Sequence, residues 1–109
     1  MTKMTPSQRK AAIRILRFYK GRAHNESVRI TFHETDYGPI WVNIDTRYNS
    51  GNVVTRVYCD SSAMFQVTAR GKVTCWSART GVSDETFQAE HQAHICRMLR
   101  CTNRKGVRK

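Results

Sequence analysis

Residues 40–48, Ile40-Trp41-Val42-Asn43-Ile44-Asp45-Thr46-Arg47-Tyr48, decide the fold. Successive side chains of a strand point to opposite faces. Ile40, Val42 and Ile44 therefore fall on one side, and Trp41, Asn43, Asp45 and Arg47 on the other. Such alternation marks a half-buried strand, one face on a core and one open to water. Upstream, over 28–34, Val28, Ile30 and Phe32 alternate with Arg29, Thr31 and His33, and Asp36-Tyr37-Gly38-Pro39 is a turn signal. Downstream, Asn49-Ser50-Gly51-Asn52 is a second turn, and 53–60 reads as a third strand with Val53, Thr55, Val57 and Cys59 on one face. Asp60-Ser61-Ser62 reads as a break before Met64–Ala69, where Phe65 and Val67 point inward. Arg70-Gly71 closes a hairpin into Lys72–Ser77, unless these last two segments are one bent strand. The expectation is an antiparallel meander of four to five strands.

On either side of the meander the apolar period lengthens to that of a helix. Over 6–20, Thr5 is an N-cap, Pro6 suits the first helical position and Gln8 completes a Thr-x-x-Gln capping box. Gly21 is the stop signal. At about 100° per residue, Phe18, Ala11, Ile15, Tyr19, Ala12 and Leu16 share one arc and Arg9, Lys20, Arg17, Lys10 and Arg14 the opposite one. Ile13 alone breaks the division. Residues 84–100 read as a second helix, capped by Ser83, with Asp84 and Glu85 in its first turn and Arg97 and Arg100 near its end, as the helix dipole favours. Phe87, Ile95, Met98 and Leu99 share its apolar face. The predicted fold is α+β: an N-terminal helix, the meander and a C-terminal helix, with both helices on one sheet face. Residues 1–101 form the compact domain and 102–109 a basic flexible tail.

Charge is the main functional signal. The 109 residues carry 19 Lys plus Arg against 8 Asp plus Glu, a net +11 and an isoelectric point near 10.2. Residues 1–30 have eight bases and one acid, and 91–109 have six bases and none, while the middle of the chain is close to neutral. Two basic ends of this kind attract nucleic acid, an anionic membrane or an acidic protein surface. The arc Arg9, Lys10, Arg14, Arg17 and Lys20 contains no acid, and several cations on one side of a rigid element are what a phosphate backbone needs. Arg97, Arg100, Arg104, Lys105, Arg108 and Lys109 add to it from the other end.

The outward sheet face supplies a second candidate. Trp41, Arg47, Arg56, Tyr58, Gln66, Lys72 and Trp76 fall there, and aromatics interleaved with Arg form a platform on which unpaired bases stack. The structural alternative is that Trp41 and Trp76 pack under a terminal segment or against a second copy of the chain.

Other chemistries find less support. No run of 18 apolar residues encodes a membrane span, and the N-terminus lacks the apolar core of a secretory signal. Cys59, Cys75, Cys96 and Cys101 are then expected as reduced thiols of a cytoplasmic protein. His91-x-x-His94-x-Cys96-x-x-x-x-Cys101 holds zinc-type ligands but no close CxxC pair, and an imidazole at His91 buried against a partner such as Tyr19 is the plainer reading. Nucleophiles (Cys59, Cys75, Ser61) and bases (His33, His91) are present, but no spacing joins them with an orienting acid, and no Gly-rich phosphate loop exists. Glu34, Asp36, Asp45 and Asp60 near strand ends read as solvated carboxylates. The expectation is a non-enzymatic protein without metal or cofactor.

The order helix, strands, helix resembles that of the double-stranded-RNA-binding domain. That family docks through a Lys-rich start to its second helix. Here the corresponding stretch is Ser83-Asp84-Glu85, which repels phosphate, so the resemblance covers element order alone. The size and charge are also similar to those of small bacteriophage accessory proteins. Two functions are expected from these residues. The first is a nucleic-acid-binding protein, for DNA or RNA, of low sequence selectivity, in which Arg14→Glu with Arg17→Glu weakens binding without unfolding. The second is a small modulator or inhibitor of a host enzyme or defence complex, steered by charge to an acidic or nucleic-acid-associated protein. A homodimer with one continuous basic surface fits either.

Overall fold

The computed structural model describes residues 4–22, 25–33, 38–49, 54, 58–81 and 84–104. The order is α1 (Pro6–Lys20), β1 (Asn25–His33), β2 (Ile40–Asn49), β3 (Tyr58–Val67), β4 (Val73–Arg79), α2 (Glu85–Leu99) and β5 (Thr102–Asn103). The five strands form one sheet in the order β1-β2-β3-β4-β5, antiparallel except for the parallel β4–β5 pair. The α+β architecture with a helix at each end of a meander is as read from the sequence.

Alternation sets the core. Ile30 pairs with Ile44, Phe32 with Val42, Ile44 with Ala63, Val42 with Phe65 and Phe65 with Cys75, so these side chains share the inner face. Ala11, Ala12, Ile15 and Tyr19 of α1 and Ile95, Cys96 and Leu99 of α2 join the same buried cluster. Tyr19 meets the Phe65 ring edge-on at 6.3 Å.

Local chemistry anchors α1. Thr5 Oγ1 accepts from the Gln8 backbone N–H, and Gln8 Oε1 accepts from the Thr5 N–H, which is the predicted capping box. Gln8 is also 1% exposed, and its amide donates to the carbonyls of Gly38 and Val67 at 3.1 and 3.2 Å. A cap residue thus ties the helix to the start of β2 and the end of β3. Gly71, in the β3–β4 turn, has φ +90° and lies so close to Ser7 that a Cβ there would sit 3.0 Å from it. Both the backbone angle and the contact call for glycine.

Four sequence expectations change. Strand β3 runs straight through Asp60-Ser61-Ser62, because these residues pair with Arg47, Thr46 and Asp45 of β2. The ladder outweighs their turn preference. Residues 53 and 55–57 of the expected third strand lie outside the described residues. Helix α2 is capped by Asp84, whose carboxylate accepts from the Phe87 N–H, and Ser83 lies outside the described residues. Its buried face is Ile95, Cys96 and Leu99, while Phe87 and Met98 are 43% and 56% exposed. The apolar arc is narrower than expected, because α2 lies against β4 at one side of the sheet and leaves much of its surface in solvent.

Finally, Thr102–Arg104 is docked. Helix α2 ends with Arg100 in the left-handed region, φ 56°, and the Cys101 N–H bonds back to the Cys96 carbonyl. This Schellman-type reversal turns the chain onto β4. Residues 105–109 lie outside the described residues.

Candidate nucleic-acid interface

On α1, Arg9, Lys10, Arg14, Arg17 and Lys20 are all exposed. Among the described residues none of them forms an ion pair with a carboxylate. The Arg14 guanidinium donates to the Leu99 carbonyl at 2.8 Å, at the C-terminus of α2. That bond caps the negative end of the helix dipole with a cation. It also brings the middle of α1 beside the end of α2, where Arg97 and Arg100 are exposed. The described acids of α2, Asp84, Glu85 and Glu90, occupy its opposite half. The middle of α1 and the end of α2, each carrying exposed cations, thus lie side by side. The structure corrects the expectation for Arg14, however. Reversing its charge would put a carboxylate at a helix C-terminus and remove a cap, so Arg14→Glu with Arg17→Glu tests stability as well as binding.

Trp41 and Trp76 belong to a different surface. Trp41 lies on the opposite face of β2 from the buried Val42. Phe65 pairs with Cys75 and Met64 with Ser77, so Trp76 is the extra residue of a β-bulge. Bulges re-aim side chains. Here the bulge sets Trp76 edge-on to Trp41, with centroids 5.1 Å apart. The Arg104 guanidinium stacks over Trp76 at 3.7 Å from the ring centroid. Its backbone is held by the Cys75 carbonyl and by the Gln92 amide. Both indoles are half-buried, and the Trp76 Nε1–H has no acceptor among the described residues. The pair thus packs under the C-terminal segment, and its outermost plane is the Arg104 guanidinium. Arg104 was legible as a cation but not as a stacking group.

The sequence-predicted site is therefore two surfaces back to back. The α1 cations lie on the helix whose buried side covers Phe65, and the tryptophans lie across the sheet. Farther along the open face, Arg29, Arg47 and Arg79 line a shallow groove of about 520 Å³ with Asp45 and Asp60. Arg47 pairs with Asp60 at 3.2 Å, and both are well exposed, so the pair adds little stability. Gln66 is half-buried and Lys72 exposed. The side chain of Tyr58, together with Arg56, Lys105, Arg108 and Lys109, lies outside the described residues.

The thiol and imidazole groups do not assemble as a metal would need. Among the described residues no group of three or more His, Cys, Asp or Glu converges on one point. The Schellman turn instead places Cys101 against Cys96, which also bonds Cys75. The Cys101 contact favours the Cys96 thiolate, but the Cys75 bond and burial outweigh it and push the thiol up to about 12. The bond with Cys96, together with burial, raises Cys101 as well. Nucleophilic cysteines need the opposite shift. His91 is half-buried and stacked on Phe87 rather than bonded to Tyr19. The Tyr19 hydroxyl is buried with no partner among the described residues. Burial chiefly, with the neighbouring thiol of Cys75, raises its pKa, so it stays neutral. An unsatisfied buried hydroxyl costs about 1–3 kcal/mol. Tyr19→Phe is therefore expected to melt at the same temperature as the parent or higher, and a fall of several degrees in a thermal scan would refute this.

No helix of the described residues is long and apolar enough to cross a membrane. The chain matches no protein-family model, no curated protein and no solved structure.

Proposed function

We propose that this chain is a non-enzymatic nucleic-acid-binding domain that holds the phosphate backbone on its helical pole. One observation carries the reading: five exposed cations of α1, free of carboxylate partners among the described residues, beside Arg97 and Arg100 of α2. Ion pairs would neutralise such a field, whereas unpaired cations on a rigid surface gain affinity by releasing condensed counterions. Contacts of this kind position a duplex or strand without reading bases, so binding is weakly selective. Arg104, stacked on Trp76, adds a cation on the other surface.

The test is affinity against salt by fluorescence anisotropy. With about five phosphate contacts, the logarithm of the association constant should fall with the logarithm of salt at a slope of roughly −4 to −5. A flat line would end this reading.

The half-buried Trp41–Trp76 pair with Arg104 favours a second reading, a protein-binding modulator, since Trp and Arg dominate interface energetics. The untagged protein purified from cells separates the two. Co-purifying nucleic acid, lost with nuclease, supports the first, and a stoichiometric protein that survives nuclease supports the second.

A further inference from the structure

A small pocket of about 190 Å³ opens where the end of α1, the first half of β3, the end of β2 and the middle of α2 meet. It is well below the roughly 300–1,000 Å³ of a drug-sized site. Arg22, Asn25, Tyr48, Ser61 and His91 are among its polar lining, and among the described residues no carboxylate lines it.

Arg22 decides what the pocket can hold. It is half-buried, and its guanidinium rests over the Phe18 ring at 5.3 Å. Among the described residues it has neither a carboxylate nor a hydrogen-bond acceptor for its side chain. A half-buried guanidinium that lines a cavity and meets no carboxylate among the described residues offers its planar fork of donors to an anion. At the nearby end of α1, hydrogen bonds to the Arg17 and Tyr19 carbonyls lessen the repulsion of an anion by the helix dipole. Arg17 accepts from the Gly21 N–H, and Tyr19 accepts from the Arg22 N–H and the Asn25 amide. His91 supplies a second ring donor, held flat against Phe87.

We infer that this pocket binds a small oxyanion of the phosphate class, gripped by the planar fork of Arg22 with His91 as the second donor. The ligand is a free phosphate or the terminal phosphate of a strand. The site is separate from the α1 pole and does not depend on it.

His91 reports occupancy. In the empty pocket its pKa lies below the ordinary histidine value, because burial, then Arg22 and then His94 disfavour the imidazolium. The other titratable groups facing it, Tyr19 and Tyr48, are both raised by burial and stay neutral. An anion between Arg22 and His91 offsets the first cation and favours the second. Binding therefore takes up a proton and tightens as pH falls toward the His91 midpoint.

The experiment follows the four histidine rings by NMR while inorganic phosphate is added at constant ionic strength. His91 should shift along a saturating curve and its titration midpoint should rise, while His33, on the open sheet face, stays put. Arg22→Gln should abolish the response, and Arg22→Lys, which keeps a charge but not the fork, should weaken it. Lys10→Glu with Arg17→Glu should leave it intact even where nucleic-acid affinity is lost. An unmoved His91, His91 and His33 moving together, or an Arg22→Gln variant that responds like the parent would overturn the proposal. Oligonucleotides with a 5′-phosphate and a 5′-hydroxyl assign the source. A response to the first alone marks a strand end, and equal responses with inorganic phosphate still saturating mark the free ion.

Discussion

Lys10→Glu combined with Arg17→Glu is expected to weaken nucleic-acid binding at least about ten-fold near 0.1 M salt and to flatten the salt slope by about 2. Both side chains are exposed, and among the described residues neither has a hydrogen-bond or ion-pair partner. Their replacement therefore removes field but no hydrogen bond or ion pair, at a cost of about 0.3–1 kcal/mol for a carboxylate at Arg17 in the last turn of α1. Glutamate is as good a helix former as lysine or arginine, so α1 should persist. Arg14 is left in place because it caps α2 through the Leu99 carbonyl. The control is circular dichroism, which should show a melting temperature within a few degrees of the parent. A folded double variant with unchanged affinity and slope would take α1 out of the interface. It would leave the Arg104–Trp76 surface as the place to look.

Gln8→Leu should cost about 3 kcal/mol and lower the melting temperature by roughly 15 °C. Leucine keeps the volume and the helix propensity but removes three hydrogen bonds at one point, one from the Thr5 N–H and two to the carbonyls of Gly38 and Val67. The Val67 carbonyl is then left buried without that donor, which costs more than a missing surface bond. Such a loss is a large share of the 5–15 kcal/mol that holds a typical domain together. A thermal scan with urea titration measures it. A loss below about 1 kcal/mol would mean that water replaces the amide without cost.

Much of this fold is legible residue by residue. Thr5, Pro6, Gln8 and Gly21 bound α1 because capping chemistry is local, completed within four residues of chain. The inner face of the sheet follows from Val42, Ile44, Phe65 and Val67, because the pleat repeats every two residues whatever the strand pairs with. The α1 cations were legible for the same kind of reason, a helix period acting on five residues. Trp76 was harder. Its bulge leaves a mark, since the inward residues of β4 run Val73, Cys75 and then Ala78, a spacing that breaks the alternation. That break was readable, but where it aims the indole was not. Arg22 carried no signal at all, because Phe18, His91 and Tyr48 are brought to it from three separate elements.

What the sequence by itself determined is the two helices with the meander between them, the buried faces of α1 and of β2, and the gathering of positive charge at the two chain ends, all consequences of short-range periodicity and composition. Only the tertiary structure decided that the middle of α1 lies beside the end of α2, that Arg104 stacks on Trp76, and that Arg22 lines a cavity. Each of these rests on contacts between residues tens of positions apart. Their geometry is set by how the helices settle on the sheet, and no local pattern encodes that packing.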